Sequence, residues 1–310
     1  MGTIKAICIS EKKGTQKHRV SSARLLENWG IEGDAHGGSW HRQVSLLSQE
    51  KIDDFRAKGA QVDFGAFGEN LVVEGFDFRT LPVGTRFACG EVLLEMTQIG
   101  KECHTHCNLY KVMGDCIMPR EGVFAKVLHG GQIKPGDELT MIPRDDHAPL
   151  RAAVVTLSDK GFRGEREDKS GPILRDMLTG AGYEVVEELL LPDEGSRIQM
   201  ELIRLADGRQ CELVVTTGGT GFSPRDCTPE ATMAVATRNA PGIAEAIRAY
   251  SMRITDRAML SRGASVLRGG TLIVNLPGSP KAAKEGLECI LPALKHGLEV
   301  LKGTTGECAR

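Results

Sequence analysis

The chain has 310 residues, is 41% hydrophobic and 26% charged, and carries a formal net charge of −2 at pH 7. That length suggests two domains, and the balance is ordinary for a soluble globular protein. Without a net positive field and with only 5% aromatic residues, binding of nucleic acid by phosphate neutralisation or base stacking is disfavoured. No apolar run approaches the roughly 20 residues of a membrane span. Met1 to Ser10 lacks the apolar core of a signal peptide, so the expected location is the cytoplasm, with no membrane partner. The cysteine count is nine, an odd number. Cys8, Cys89 and Cys211 sit in strand-like runs and read as reduced core residues, not as a disulfide framework.

Residues 1 to 143 read as mostly β. Candidate strands are Ile4–Ile9, Gln43–Leu47, Asn70–Val73, Thr85–Cys89, Val92–Thr97, Gly122–Val127 and Glu138–Ile142. Turn signals at Gly75, Pro82-Val83-Gly84, Gly90, Gly130-Gly131 and Pro135-Gly136-Asp137 separate them. Short strands at this spacing predict a barrel or sandwich. One helix is expected at Ser48–Ala57, with Ser48 as its N-cap. Lys12-Lys13 with Lys17-His18-Arg19 reads as a solvated basic loop. Residues 144–150 are mostly polar, follow Pro143 and contain Pro149 near their end, which predicts a short, semi-rigid linker.

From Arg151 the pattern alternates. Strands are expected at Ala152–Leu157, Tyr183–Leu191, Glu212–Thr217 and Thr271–Leu276. Helices are expected at Ser170–Leu178, Ser196–Ala206, Pro229–Arg238, Pro241–Ile254 and Lys281–Leu301. This predicts an α/β domain over 151–310, a mostly parallel sheet with helices on both faces. Ligands in such sheets sit beyond the carboxyl ends of the strands. Three polar loops fall there: Ser158-Asp159, Gly218–Asp226 and Asn275–Ser279. Pro192-Asp193-Glu194 follows a fourth strand.

The richest of these loops is Gly218-Gly219-Thr220-Gly221. It ends a buried-strand run, precedes Asp226, and enters a helix through Thr228, a good N-cap, and Pro229. Strand, glycine loop and helix together form a layout that holds phosphate. The loop is neither G-x-G-x-x-G nor a Walker A loop, because no Gly-Lys-Ser/Thr follows. A plain turn in an α/β domain explains the glycines about as well. Asp226 shifts the balance, since phosphates arrive with Mg²⁺, which takes oxygen ligands. The plain alternatives are a helix-capping acid for Asp226, a solvated turn acid for Asp193 and an exposed first-turn lysine for Lys281.

Thr216–Thr232, with Pro192-Asp193-Glu194 before it and Leu260-Ser261-Arg262 and Asn275-Leu276-Pro277-Gly278 after it, closely resembles the molybdopterin adenylyltransferases. That family includes the G domains of gephyrin and of the plant molybdenum-cofactor enzyme. The resemblance runs from about Ala152 to Gly303. It implies transfer of AMP from ATP to the terminal phosphate of molybdopterin, with Mg²⁺. Asp226 and Asp193 match the acids that serve Mg²⁺ and the reaction. Gly218, Gly219, Thr220 and Gly221 would hold the pterin side or phosphate, and Ser261, Pro277, Gly278 and Ser279 would line the pocket. Ser158, Asp159 and Lys281 are candidate contacts by their loop positions. The family is usually trimeric, which implies a homotrimer through this domain. The chemistry suits the residues: joining two polyanions needs metal and dipoles to screen repulsion and little covalent work from side chains.

The first half resembles a MOSC domain, the β-barrel at the C-terminus of molybdenum cofactor sulfurase. The likeness rests on Gly30-Ile31-Glu32-Gly33-Asp34-Ala35-His36, His41-Arg42-Gln43-Val44-Ser45-Leu46-Leu47, Phe67-Gly68-Glu69-Asn70-Leu71 and Thr97-Gln98-Ile99-Gly100-Lys101-Glu102-Cys103. It implies binding of the molybdenum cofactor or transfer of sulfur through a cysteine, which Cys103 matches. His36, His41, Arg42, Lys101 and Arg120 are candidate contacts for a cofactor phosphate. On residues alone, Cys103-His104-Thr105-His106-Cys107 and then Cys116 form a cluster of soft ligands, and Lys101 favours a thiolate. Three readings stay open: a thiolate that ligates molybdenum or carries sulfur, a zinc site from Cys103, Cys107, Cys116 and a histidine, and ordinary loop cysteines. Together the two halves imply molybdenum cofactor biosynthesis, with a molybdenum-insertion enzyme and molybdoenzyme acceptors as partners. The alternative is a carrier that binds molybdopterin without catalysis.

Overall fold

The computed structural model describes residues 1–101 and 114–303. The chain forms two compact units, Met1–Ala148 and Pro149–Arg310.

The first unit is a closed barrel. Its wall is formed by β1 (Gly2–Ile9), β5 (Val44–Ser48), β6 (Leu71–Glu74), β7 (Arg86–Cys89), β8 (Val92–Ile99), β9 (Val123–His129) and β11 (Glu138–Ile142). The strand order is β11-β7-β8-β9-β5-β6-β1, and β11 pairs back on β1 through Gly2–Leu139 and Thr3–Glu138. β2 (His18–Val20) extends the sheet from β1, and β3 (Ala23–Leu26), β4 (Gly30–Ile31) and β10 (Gly131–Ile133) form a small second sheet. β5 and β6 are parallel, so a crossover must join them. The helix expected from Ser48, α1 (Gln49–Ala57), supplies it. A further short helix, α2 (Met118–Glu121), precedes β9.

Alternation along the strands sorts side chains between two cores. Leu46, Leu71 and Val73 point into the barrel with Phe78, Phe87, Leu94 and Met96. Leu47 and Val72 point out and pack under α1 with Ile52, Phe55, Cys8 and Cys116. Burial pushes the Cys8 thiol up to about 12 and raises Cys89 as well; Cys211 in the second unit is also pushed up to about 12, again by burial. Brief iodoacetamide treatment at neutral pH is therefore expected to leave Cys8, Cys89 and Cys211 unlabelled, because thiolate is the nucleophile. Mass spectrometry of tryptic peptides checks this; labelling of Cys8 in folded protein would contradict the packing.

The second unit is a three-layer α/β domain. Its elements run β12 (Arg151–Leu157), α3 (Asp159–Phe162), α4 (Ser170–Gly180), β13 (Glu184–Leu191), α5 (Gly195–Ile203), β14 (Leu213–Thr217), α6 (Thr228–Ala234), β15 (Arg238–Asn239), α7 (Pro241–Met252), β16 (Ser265–Arg268), β17 (Thr271–Leu276) and α8 (Pro280–Lys302). The sheet order is β13-β12-β14-β17-β16-β15. The first four strands are parallel and the last two antiparallel. Every residue of β12 and β14 is buried, as strands covered on both faces must be. Val154 and Val215 meet α4, α7 and α8 through Leu174, Leu178, Ile247 and Leu287. Ala153, Val155 and Val214 meet α5 and α6 through Ile198, Leu202 and Ala231.

Three local expectations change. Cys227, not Thr228, is the N-cap of α6, because Thr228 is already the first residue of the helix. α6 stops at Ala234, and Arg238 pairs with Leu267 in β15 instead of continuing the helix. Ser265–Arg268 is a strand joined to β17 by the two-residue turn Gly269-Gly270, a hairpin signal outside the predicted elements.

Candidate functional site

The carboxyl ends of β13, β12, β14 and β17 lie side by side in the sheet. The loops predicted from the alternation are thereby brought together. Gly218 and Gly219 both have positive φ, 105° and 63°. A Cβ on Gly218 would stand 2.3 Å from the Leu157 carbonyl oxygen, and one on Gly219 would stand 2.3 Å from Thr228 Oγ1. Glycine is required here by conformation and by space alike. The Thr228 hydroxyl donates to Gly218 O at 3.0 Å and the Thr228 N–H to Gly219 O at 3.2 Å, which folds the loop onto the start of α6. Across the loop, the Thr217 hydroxyl donates to Pro277 O (2.7 Å) and the Ser170 hydroxyl to Gly278 O (3.1 Å). Beneath it, buried Asn275 donates through Nδ2 to Thr216 and Thr232 hydroxyls, both at 2.9 Å, and accepts from Ala264 N–H at 3.1 Å.

Asp159 and Asp193 hold each other. Asp159 N–H donates to Asp193 Oδ2 at 3.1 Å, and Asp193 N–H donates to Asp159 Oδ1 at 3.0 Å. Arg225 closes a fork on Asp159, with Nε at 2.9 Å and Nη2 at 3.0 Å. The second oxygen of Asp193, Oδ1, is buried and has no hydrogen-bond partner among the described residues. It faces the loop: a Cβ on Gly219 would lie 3.0 Å from it. Asp226 Oδ2 accepts from Ser223 N–H at 3.1 Å and lies 2.9 Å from where a Gly221 Cβ would be. Burial raises the Asp193 carboxyl, and the charges of Asp159 and Asp226 raise it further. Asp159 is held low by the Asp193 N–H and by Arg225. One acid is thus neutralised by an arginine, while a second is half-buried with an oxygen to spare.

This donor set fits Mg²⁺, which keeps several waters and takes one or two protein carboxylates plus substrate phosphates. Among the described residues no group of three or more His, Cys, Asp or Glu is arranged to hold a metal, so a cation here would rely on few protein ligands. Ser158 caps α3, accepting from Gly161 N–H at 3.1 Å. Ser279 stands at the N-cap of α8, and half-buried Ser261 accepts from Gly263 N–H at 3.4 Å. The Lys281 side chain is 81% exposed, 3.9 Å from Glu285. Two residues that organise the site were not among the candidates: Arg225, and Arg262, which bonds the carbonyls of Gly221 and Asp226 at 2.7 Å each. Arg262 stood in a motif singled out by sequence, but nothing local revealed what it holds.

In the first unit, Cys103 and Cys107 fall outside the described residues, so the three readings of that cluster stand as they were. Cys116 is buried in the packing under α1. His41 Nε2 is 3.0 Å from Gln98 Oε1, and the Arg42 guanidinium stacks 4.8 Å above Trp40 and 5.7 Å from Phe124. Lys101 is half-buried at the end of a described stretch. Lys17 is a correction: its side chain is 3% exposed and pairs with Asp34, which also accepts from Asn70 Nδ2. Burial pushes the Asp34 carboxyl up, but hydrogen bonds from His36, Lys17 and Asn70 outweigh it and hold the group below the usual carboxylate range. The neighbours His18 and Arg19 are exposed, but they lie on β2, paired with Ile9 and Cys8 of β1, and not in a loop.

The two units correspond to two described families. Residues 153–296 match a probable molybdopterin binding domain, and residues 33–140 match the MOSC domain. The molybdopterin adenylyltransferase of Escherichia coli K12 is 45% identical over 156 residues, which span 48% of this chain and 80% of that protein. That of Helicobacter pylori J99 is 38% identical over 156 residues, 50% of this chain and 89% of that protein. The crystal structure of the molybdopterin biosynthesis enzyme MoaB from Thermus thermophilus is 48% identical, covering 50% of this chain and 97% of that one, with a TM-score of 0.48. The chain belongs to the molybdopterin adenylyltransferase family through its second unit and carries a MOSC domain in its first.

Proposed function

We propose that the second unit transfers AMP from Mg²⁺-bound ATP to the terminal phosphate of molybdopterin, and that the protein serves molybdenum cofactor biosynthesis. One observation carries the reading: the buried, unpartnered Oδ1 of Asp193 facing a glycine loop that has no room for a side chain, with Asp226 on the same loop. The relatives named for this activity match about half of this chain, and the molybdopterin-binding family model spans residues 153–296, which include these loops.

In the reaction a phosphate oxygen of molybdopterin attacks the α-phosphorus of ATP. The bond from that phosphorus to the bridging oxygen breaks, and pyrophosphate leaves with the electron pair. The nucleophile is already anionic, so no general base is needed. Bound Mg²⁺ would neutralise the phosphates that must approach each other. The chain's own task is to hold and screen. Asp193 and Asp226 would hold the cation. Gly218 and Gly219 allow the tight turn that presents main chain to phosphate, where a Cβ would run into the Leu157 carbonyl and the Thr228 hydroxyl. Thr220, Gly221, Ser158, Asp159, Ser261, Pro277, Gly278 and Ser279 line the cleft, and Lys281 stands exposed beside it. In the first unit, Cys103 would bind molybdenum or carry sulfur, and His41, Arg42 and Lys101 would contact the cofactor phosphate. The homotrimer, the molybdenum-insertion enzyme and the molybdoenzyme acceptors belong to the same proposal.

The test uses the full chain with ATP, Mg²⁺ and molybdopterin. Pyrophosphate release and an adenylylated pterin by mass spectrometry are expected, and chelation by EDTA should stop both. Molybdopterin binding without pyrophosphate release would replace the enzyme with a carrier.

A further inference from the structure

The segment from Gly221 to Asp226 has little to hold it from within. Phe222 at its tip is 68% exposed and packs on no core. Its internal bonds are short in range: Ser223 N–H to Asp226 Oδ2 at 3.1 Å, and Asp226 N–H to Ser223 O at 2.9 Å. Both ends of the segment are instead gripped by Arg262, which lies between α7 and β16. Its Nε donates to Gly221 O and its Nη2 to Asp226 O, each at 2.7 Å. Its Nη1 pairs with the Glu230 carboxylate on α6, and its own N–H donates to Thr220 O at 2.9 Å. A guanidinium is a planar, rigid fork, so these acceptors are fixed relative to one another; a lysine offers a single nitrogen. The arginine touches the carbonyl of Asp226 and leaves its carboxylate alone. Glu230 supplies the counter-charge, so Arg262 does not compete with a cation for that carboxylate.

We propose that Arg262 is the positioning residue of the divalent-cation site, setting where the Asp226 carboxylate stands relative to Asp193. The inference rests on the reading of Asp226 and Asp193 as the acids that hold the cation. Arg262 acts through the loop, and contributes shape where a lysine would contribute only charge.

The experiment compares full-length wild type, Arg262→Lys, Arg262→Ala and Asp226→Asn. Binding of Mn²⁺ alone, a spectroscopic stand-in for Mg²⁺ at oxygen ligands, is read by electron paramagnetic resonance. Amide exchange of residues 221–226 and pyrophosphate release are measured on the same samples. Loss of a group that orients a metal ligand costs about 10- to 100-fold in metal affinity, and a loss of that size is expected for Arg262→Lys as well as Arg262→Ala. Exchange in 221–226 should quicken while amides of β14 and β17 stay protected, which separates a freed loop from an unfolded domain. In turnover, kcat should fall with the KM for molybdopterin little changed. Wild-type Mn²⁺ affinity in Arg262→Lys would overturn the proposal, because charge alone would then suffice. So would Mn²⁺ binding in the wild type no tighter than in Asp226→Asn. Weakened Mn²⁺ binding in Arg262→Lys together with an inactive wild type would uphold the positioning role and remove the adenylyl-transfer reading instead.

Discussion

Asp193→Asn is expected to lower adenylyl transfer on the order of a thousandfold while leaving the fold intact. That is the scale of losing one preorganised electrostatic contact to a developing charge. Asparagine keeps an oxygen to accept from Asp159 N–H, the bond made by Asp193 Oδ2 at 3.1 Å. It loses the charge on the other oxygen, the buried Oδ1 without a partner, and an amide is a poor Mg²⁺ ligand. The same change should stabilise the protein. Asp193 is held above the ordinary carboxylate range, first by burial and then by the charges of Asp159 and Asp226. A carboxyl whose folded pKa lies above its unfolded one supports folding below the unfolded pKa and loses that support as pH rises through the folded value. The melting-temperature gain of Asp193→Asn should therefore be near zero in acid and grow toward neutral pH. Calorimetry of both proteins from acid to neutral pH, with the pyrophosphate assay, checks this. Near-wild-type turnover would remove Asp193 from the site. A gain confined to acid would refute the electrostatic account.

Gly218→Ala is expected to be the most destabilising single-atom-scale change in the loop. Alanine would have to adopt φ near 105°, and its Cβ would stand 2.3 Å from the Leu157 carbonyl. That carbonyl ends β12, a strand paired on both sides by β13 and β14, so the backbone has little freedom to move away. Holding a non-glycine residue in such a region costs about 1–3 kcal/mol before any clash. With the clash added, a fall in melting temperature of roughly 5–10 °C is expected for a domain of this size. Gly297→Ala is the control. Gly297 is exposed in α8, with nothing among the described residues within 4 Å of the added Cβ, and alanine there should stabilise by up to about 1 kcal/mol. Thermal unfolding of the full chain decides. Equal melting temperatures for Gly218→Ala and wild type would show that the loop can relax.

The two expected losses come from different levels of the molecule. Much about this protein is written locally. Period-two alternation with regular turn signals marks the barrel, and continuous apolar runs separated by helical spacing mark the parallel sheet, because each pattern follows from which faces a strand buries. The glycines at 218 and 219 also announce themselves, since few residues adopt their backbone angles. The acids at 193 and 226 were legible as candidates because they follow strand ends. Short pairings were not: β2, β3, β4, β10 and β16 span two to four residues, too few to show a period. Only the tertiary structure decided which polar groups meet. Asp159 and Asp193 clasp each other across 34 positions, Arg225 reaches Asp159 across 66, and Arg262 reaches Gly221 across 41. Lys17, in a run that reads as solvated, is buried against Asp34 and Asn70. A hydrogen bond depends on distances of tenths of an ångström between groups far apart in the chain. Local propensity sets which way a side chain leaves the backbone; the folding of the chain on itself determines what it finds there.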